Sequence, residues 1–209
     1  MPHIRIVGDV HGKLTKYIDI VREHPYSIQV GDLGFSYDCL SCLDFECHKF
    51  FGGNHDNYDV YYETPHALGD YGEFELGGYS LYFIRGGFSI DKKYRIRSPI
   101  KVWWEEEELP RRIYEDVVGD FESVKPKIVL THSCPQTIAR KIGNDYALRM
   151  FGFDPSTFST NTQLLLEECI NVHQPELWVF GHFHKDVELV YKGTRFVCLP
   201  ELGVLDYDG

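Results

Sequence analysis

The sequence predicts a mixed α/β fold in which strands of a largely parallel sheet end on polar turns. Three observations support this prediction: apolar runs of strand length, helical spacing after the first run, and strand pairs joined by glycine-containing turns. The five apolar runs that end on polar turns are residues 4–7, 27–30, 50–51, 128–130 and 177–180. Turns after neighbouring parallel strands share one edge of a sheet, so we expect these polar segments to converge in space.

Two helices are predicted from apolar spacing and capping residues. Apolar residues on one helix face predict a helix over residues 14–23, which forms a strand-turn-helix unit with the first strand. Ser159-Thr160 can cap a second helix that runs to about Val172 and leads into the last of the five strands. Residues 145–158 are expected to be irregular.

Two hairpins add antiparallel strands to this pattern. Residues 73–76 and 79–84 are rich in aromatic or aliphatic side chains and are joined by two glycines. Residues 187–191 and 195–199 flank a Lys-Gly-Thr turn and read as a closing hairpin. The architecture is therefore expected to mix parallel and antiparallel strands.

The length of the chain predicts one domain with an elaborated surface. At 209 residues the chain has the size of a single domain, which we place over residues 1–209. Residues 86–122 interrupt the alternation of strands and helices with a basic stretch, Trp103-Trp104 and four consecutive Glu residues. We predict that residues 86–122 form a surface insertion over the sheet edge.

The charge and the cysteines narrow the class of protein. A total of 32 Asp and Glu against 21 Lys and Arg gives a net charge of -11 at pH 7, which argues against nonspecific binding to nucleic acid or anionic membranes. There is no basic leader and no run of about 18 apolar residues, so we expect a soluble, cytoplasmic protein without a membrane segment. The six cysteines are expected to be reduced, with a zinc site at Cys39, Cys42 and Cys47 as the weaker alternative.

The polar turns contain residue types that bind metals. The turns are Gly8-Asp9-Val10-His11-Gly12, Gly31-Asp32, Gly53-Asn54-His55-Asp56, Thr131-His132 and Gly181-His182-Phe183-His184. Each turn alone is weak evidence, because such residues are also common in ordinary turns. Besides His55 and Asp56, the turns supply two Asp, one Asn and four His. These ligands suit manganese, iron, zinc, cobalt or nickel, and ligand type alone does not choose among them.

In type and order, these five turns resemble the sequence blocks of the calcineurin-like metallophosphoesterases, and the resemblance spans residues 4–184. It implies a four-layer αββα sandwich of two mixed β-sheets flanked by helices. It also implies two divalent metal ions, with manganese as our first expectation. The resemblance assigns one ion to Asp9, His11, Asp32 and His184. It assigns the other ion to Asp32, Asn54, His132 and His182, so that Asp32 bridges the two.

The resemblance also implies a reaction, in which a hydroxide that bridges the metals hydrolyses a phosphate ester. His55 is then expected to be the general acid that protonates the leaving group, and an unperturbed imidazole pKa of about 6.5 suits this task. Asp56 is expected either to orient His55 or to serve as a plain turn residue. Two cations outweigh Asp9, Asp32 and a hydroxide in charge, so an acidic protein can still bind an anionic phosphate.

The residues of the second turn do not identify the substrate. Members of the Ser/Thr protein phosphatase branch have an arginine soon after the aspartate of this block, whereas this chain continues as Gly31-Asp32-Leu33-Gly34. We therefore expect a small phosphomonoester, a phosphodiester or a nucleotide as substrate, with a Ser/Thr-type protein phosphatase as the alternative. A metal-poor protein-interaction scaffold of the same fold is the alternative from another functional class.

Basic and aromatic residues near the predicted insertion offer further substrate contacts. The candidates for a phosphate contact are Arg85, Arg95, Arg97, or Lys92 with Lys93, since guanidinium groups match phosphate oxygens, and an ordinary solvated loop charge is the equal alternative for each. Trp103 and Trp104 could stack on a nucleobase, although paired tryptophans more often pack locally.

Overall fold

The protein is described over residues 3–209 by a computed structural model, which contains ten strands and six α-helices in that range. The strands are β1 Ile4–Val7, β2 Ser27–Gln29, β3 His48–Phe50, β4 Tyr71–Leu76, β5 Tyr79–Ile84, β6 Ile128–Thr131, β7 Leu177–Phe180, β8 Val187–Tyr191, β9 Thr194–Cys198 and β10 Val204–Tyr207. The helices are α1 Leu14–Val21, α2 Lys92–Arg95, α3 Tyr114–Val124, α4 Gln136–Ile142, α5 Asp145–Met150 and α6 Asn161–Val172.

The strands form two mixed sheets. The order of strands is β10-β1-β2-β3 in the four-stranded sheet and β4-β5-β6-β7-β9-β8 in the six-stranded sheet. Strands β1, β2 and β3 are parallel, as are β5, β6, β7 and β9, while β10, β4 and β8 pair antiparallel at sheet edges. The carboxyl ends of the parallel strands therefore lie along one edge of each sheet, where the polar turns begin.

The apolar faces of the two sheets pack against each other. Side chains such as Ile6 and Ile28 of the four-stranded sheet share a buried cluster with Phe83, Leu130 and Val179 of the six-stranded sheet. Full burial of each such side chain contributes roughly 1.5–3 kcal/mol relative to an exposed position. This cluster is the central core between the sheets.

Helices cover the outer faces of both sheets. Val117 of α3, Ile138 of α4 and Leu166 of α6 pack with residues of the six-stranded sheet, including the fully buried Trp178. Tyr17 of α1 packs in a separate cluster on the four-stranded sheet. The layers are thus helix, sheet, sheet and helix, which confirms the predicted αββα sandwich.

Two elements differ from the sequence prediction. Residues 145–158 were expected to be irregular, and this was wrong for Asp145–Met150, which forms α5. Only Leu148 is buried in this helix, so the apolar periodicity was too weak to predict it. The edge strand Val204–Tyr207 was not predicted because its residues are only partly buried or exposed.

Residues 86–122 contain α2, two short 3-10 turns and most of α3. Val117 and Phe121 of α3 are fully buried, so the end of this stretch belongs to the core. That residues 86–122 are an insertion into a single domain stays a prediction.

The described part of the chain also bears on the membrane and cysteine predictions. Within residues 3–209, every helix is too short or too polar to cross a bilayer. All six cysteines are free thiols, and no group of three possible ligands within 3–209 includes Cys39, Cys42 or Cys47.

Candidate metal centre

The structure brings together the seven residues that the sequence predicted as metal ligands. Asp9 and His11 follow β1, Asp32 follows β2, Asn54 follows β3, His132 follows β6, and His182 and His184 follow β7. Possible ligand atoms lie within 4.8 Å of one another in three overlapping groups: Asp9 with His11 and His184, Asp9 with Asp32 and His132, and His11 with Asp32 and His55. Turns from both sheets therefore form one cluster.

Four of these residues make the first half of the cluster. The Nε2 atoms of His11 and His184 are 2.9 Å apart, and His184 Nε2 lies 3.0 Å from Asp9 Oδ2. The Oδ2 atom of Asp32 lies 3.7 Å from His11 Nε2. Two carboxylate oxygens and two imidazole nitrogens thus converge on one point.

The second half of the cluster is centred on His132. Its Nε2 atom lies 3.0 Å from Asn54 Oδ1, 3.2 Å from His182 Nδ1 and 3.3 Å from Asp32 Oδ1. One oxygen of Asp32 therefore faces each half, which is the arrangement that a bridging carboxylate needs.

Backbone strain is concentrated in this cluster. Seven non-glycine residues within 3–209 have a positive φ, and four of them are predicted ligands: His11 at 48°, Asp32 at 61°, His182 at 66° and His184 at 53°. L residues seldom adopt this conformation, and each instance costs on the order of 1 kcal/mol or more. Strain collected at one place indicates a functional site, because stability alone does not favour it.

Two glycines allow the carboxylates to approach the neighbouring backbone. A Cβ atom at Gly53 would overlap a carboxylate oxygen of Asp32, and a Cβ atom at Gly181 would overlap a carboxylate oxygen of Asp9. Any side chain at either position would displace a predicted ligand. Close approach therefore explains these two glycines of the polar turns.

Hydrogen bonds to the backbone orient the predicted ligands. His132 Nδ1 lies 2.9 Å from the carbonyl oxygen of Val30, so this nitrogen donates a hydrogen bond and Nε2 is the ring nitrogen that faces the cluster. The backbone N–H of His182 donates to Asp9 Oδ1 at 2.9 Å. These contacts hold the donor atoms in place from outside the cluster.

Burial and charge act against each other at the cluster. Burial raises the pKa of Asp32, but the nearby histidines, with His132 first, together hold this pKa well below its usual value. Burial lowers the pKa of His132, but Asp32, Asp9 and the hydrogen bond to Val30 together raise this pKa to about 9. Burial and the neighbouring His132 lower the pKa of His182 to about 3. Because imidazole binds metals in its neutral form, a cation here would displace the proton of His132.

His55, the predicted proton donor, borders the first half of the cluster. Its backbone N–H donates to Asp32 Oδ1 at 2.6 Å, and its ring centroid lies 5.0 Å from that of His11. Burial lowers the pKa of His55, while Asp32 opposes this shift. Its place among the possible ligand atoms makes metal content a necessary measurement for any His55 variant.

Asp56 connects the second and third turns. The backbone N–H groups of Asp32, Gly34 and Gly53 donate to its carboxylate at 2.8, 3.1 and 2.7 Å, and the hydroxyl of Tyr37 donates at 3.3 Å. Burial and Asp32 raise the pKa of Asp56 to about 6. These contacts favour the turn role that the sequence left open for Asp56.

The predicted insertion supports Asn54 in a way that the sequence did not predict. Asn54 Nδ2 donates to Ser89 Oγ at 3.1 Å, and Ser89 Oγ donates to Glu107 Oε2 at 2.8 Å. Arg95 donates to the carbonyl oxygen of Asn54 at 2.7 Å and also contacts Ser89 Oγ. Since Ser89 holds the amide nitrogen, the amide oxygen of Asn54 faces His132. Ser, Arg and Glu are common in polar loops, so no local sequence signal marked this network.

Ser89→Ala is expected to weaken metal binding roughly tenfold to 100-fold, the usual effect of losing a group that orients a ligand. The change leaves buried donors and acceptors of Asn54 and Glu107 without this partner. Titration of the protein with manganese, followed by calorimetry, measures the affinity. Ser98→Ala is the control, because this half-buried serine of the same segment accepts the backbone N–H of Ile100 instead, and it should bind manganese as the wild type does. Equal affinity in Ser89→Ala would show that Asn54 needs no such support.

Two other predicted substrate contacts have packing roles in the structure. Arg85 is 2% exposed and donates to Asp70 at 2.7 Å and to the hydroxyl of Tyr62 at 2.6 Å. Trp104 is 4% exposed, and its ring centroid lies 5.6 Å from that of Phe35. Trp104 therefore follows the local-packing alternative, whereas Arg85 is a buried, hydrogen-bonded residue and not an ordinary loop charge.

A cavity of about 190 Å³ opens onto the cluster, and we call it the metal-site cavity. Its lining includes Asp32, Asn54, His55, His182 and His184. The cluster offers only oxygen and imidazole donors on convergent side chains, a set that fits divalent transition metals. A ligand of modest size has direct access to these donors.

Solved structures share the fold at low sequence identity. A putative 5′-nucleotidase from Staphylococcus aureus, in complex with alpha-ketoglutarate, matches with a TM-score of 0.52 and 13% identity over 96% of this chain and 49% of that chain. The protein therefore spans about half the length of that nucleotidase. A phosphopantetheinyl hydrolase from Mycobacterium tuberculosis matches with a TM-score of 0.50 and 11% identity over 96% of this chain and 90% of that chain. A hypothetical protein from Thermus thermophilus matches with a TM-score of 0.50 and 17% identity over 96% of this chain and 76% of that chain.

Sequence comparison identifies the family. No curated protein matches the chain significantly. The family model described as calcineurin-like phosphoesterase matches residues 2–186, which include all five polar turns and all seven predicted ligands. The chain therefore belongs to the calcineurin-like phosphoesterase family.

Proposed function

We propose that this protein hydrolyses a small phosphate ester at a centre of two divalent metal ions. Asp9, His11, Asp32 and His184 would hold one ion, and Asp32, Asn54, His132 and His182 would hold the other. The observation that carries this proposal is the convergence of seven donor residues from five turns, with one oxygen of Asp32 facing each half. The match to the calcineurin-like phosphoesterase family supports the same chemistry.

The charges of the site explain how an acidic protein can bind an anion. When bound, two divalent cations act as Lewis acids on the ester and lower the pKa of a nearby water molecule. Asp9 and Asp32 are the two ionised carboxylates of the ligand set, so they neutralise only half of four positive charges. The remaining positive charge favours a phosphate group at the metal-site cavity.

His55 is the residue that we propose as the proton donor. It lines the metal-site cavity beside Asp32 and Asn54. A protonated imidazole there can give its proton to the leaving oxygen of the ester as the phosphorus–oxygen bond breaks. Asp56 contributes to this step by fixing the backbone of the turn that bears His55.

The residues around the bridging Asp32 favour a small substrate over a phosphoprotein. Leu33, which follows the bridging Asp32, is fully buried in the core and has no access to a phosphate group. The guanidinium of Arg95 is engaged by the carbonyl oxygens of Asn54 and Val102. Neither the segment after Asp32 nor Arg95 therefore offers a free guanidinium group to a phosphoserine. Manganese rather than a basic side chain would hold the phosphate.

The scaffold alternative is harder to reconcile with the backbone. A protein-interaction surface gains nothing from four strained residues in a partly enclosed cluster, whereas a metal centre gains correctly aimed donor atoms. Metal binding is therefore the simpler reason for this strain.

Side-by-side assays test the proposed function. Protein loaded with manganese is incubated with 4-nitrophenyl phosphate, bis(4-nitrophenyl) phosphate, a nucleotide panel and a phosphopeptide. We expect turnover of at least one small ester and little turnover of the phosphopeptide. Turnover of the phosphopeptide alone would favour the protein phosphatase, and absence of turnover together with absence of bound metal would favour the scaffold.

Manganese is also expected to stabilise the folded protein. At 100 times the dissociation constant, a ligand that binds only the native state adds about 2.7 kcal/mol, which corresponds to a rise in Tm of about 5–10 °C for a chain of this size. Differential scanning calorimetry with manganese and with EDTA measures this shift. An unchanged Tm across a manganese titration would contradict a metal centre built from these residues.

A further inference from the structure

A second cavity opens beside the metal centre, and we call it the side cavity. Its volume is about 240 Å³. Phe88, Ile90, Asn144 and His182 line both the side cavity and the metal-site cavity, so the two are adjacent. A molecule with its phosphate at the metal centre could therefore extend its other end into the side cavity.

The walls of the side cavity combine polar and charged residues, among them Arg140 and Arg149, with a set of aromatic and aliphatic side chains. Phe88, Phe158, Phe183 and Leu148 all line it. The rings of Phe88 and Phe158 meet edge to face, with centroids 6.0 Å apart. Aromatic walls of this kind contact a planar ring well through its faces and edges.

Two buried glutamines also line the side cavity. Gln136 is 7% exposed and Gln163 is 4% exposed. Within residues 3–209 the amide oxygen of each has no hydrogen-bond partner. The amide nitrogen of Gln136 donates to the carbonyl oxygen of Phe158 at 3.3 Å, which identifies its other amide atom as the free acceptor. Buried polar atoms are nearly always paired, so two free acceptors in one cavity indicate a ligand that donates hydrogen bonds.

We propose that the side cavity binds the base of a nucleotide substrate and favours a base with an exocyclic amino group. This inference rests on the proposed phosphoesterase function, because that function places the phosphate at the metal centre. The phenylalanine rings would contact the base as aromatic residues do in other nucleotide sites. The amino group would donate to a glutamine oxygen, which is half of the pairing that glutamine makes with adenine.

Both glutamine side chains line the side cavity, and their amide oxygens are buried from water. The amide of Gln136 is held by its bond to Phe158, whereas the oxygen of Gln163 would reach the base by rotation about the last side-chain torsion, which is soft in glutamine. A base with a carbonyl group at the same position would instead place oxygen against oxygen. The side cavity should therefore distinguish adenine from hypoxanthine, which differ in this group and in the hydrogen that hypoxanthine carries on the adjacent ring nitrogen N1.

Matched substrates test the proposal. The kcat/KM of the manganese-loaded protein is measured on adenosine 5′-monophosphate, inosine 5′-monophosphate and ribose 5-phosphate. We expect adenosine 5′-monophosphate to exceed each of the others roughly tenfold, because an unpaired acceptor discriminates against the analogue that lacks a donor. Gln163→Leu should reduce the preference for adenosine over inosine to about onefold to threefold, and Gln136→Leu provides a second variant. The control is Gln174→Leu, an exposed glutamine beyond the end of α6, which should keep the wild-type preference.

The outcomes separate this proposal from the proposed function. Comparable turnover of all three substrates would overturn the base site and leave the phosphoesterase intact. If neither these esters nor 4-nitrophenyl phosphate is hydrolysed, the proposed function fails. Calorimetric titration with adenosine then tests separately whether the side cavity binds a base. Binding of adenosine that is weakened in Gln163→Leu supports the base site, and absence of binding to the wild type overturns it.

Discussion

Asp32→Asn is expected to prevent binding of two metal ions and to lower kcat/KM on 4-nitrophenyl phosphate by at least about 100-fold, more than loss of a merely supporting group causes. One oxygen of Asp32 lies 3.3 Å from His132 Nε2, and the other lies 3.7 Å from His11 Nε2. An amide would turn a hydrogen-bond donor towards one half of the cluster and remove the negative charge from both. Asparagine has the size of aspartate and tolerates a positive φ, so the backbone at 61° is preserved.

Metal content and turnover of the same preparation measure this effect. The wild type should contain two equivalents of manganese after loading and desalting, and Asp32→Asn at most one. Asp59→Asn is a matched control, because Asp59 is exposed and pairs with Lys101 at the surface. Two equivalents of manganese with wild-type turnover in Asp32→Asn would show that Asp32 does not bridge.

The sequence predicted the fold well where strands are buried and apolar. The bounds of β1 and β7 match the prediction, because β7 is an uninterrupted, buried apolar run and β1 is interrupted only by the partly buried Arg5. The Thr160 cap of α6 was also predicted, and its hydroxyl accepts the backbone N–H of Gln163 at 3.1 Å. Val204–Tyr207 was missed because its pairing with β1, rather than local periodicity, determines it, and Asp145–Met150 was missed because a helix with one buried residue shows little apolar periodicity.

The sequence predicted which residues are candidate ligands but not which residues support them through hydrogen bonds. Asp9 and His184 are far apart in the chain, and only the expectation of parallel strands and the family resemblance could predict their contact at 3.0 Å. Ser89 and Glu107 lie in a loop without periodicity, so nothing in the sequence indicated that they support Asn54. Long-range hydrogen bonds of this kind depend on loop conformation, which spacing rules do not determine.

His55→Ala is expected to keep both metal ions and to lose about 100-fold to 10,000-fold in turnover on esters with poor leaving groups, the usual range for loss of general acid catalysis. Phenyl phosphate needs a proton at its leaving oxygen, whereas 4-nitrophenyl phosphate leaves readily without one. The loss should therefore be much larger on phenyl phosphate, and the second ester serves as the internal control. Metal analysis of the same variant separates a proton donor from a ligand, since His55 lies near donor atoms of His11 and Asp32.

The pH dependence of this effect has a defined sign. Burial lowers the pKa of His55, so its protonated fraction grows only as the pH falls below the usual imidazole range. The ratio of wild-type to His55→Ala turnover on phenyl phosphate should therefore rise as the pH is lowered, because titration of the attacking water affects both proteins equally and cancels. Equal losses on both esters, with a ratio that does not change with pH and one equivalent of metal missing, would instead make His55 a ligand and leave the proton donor to another residue of the cavity.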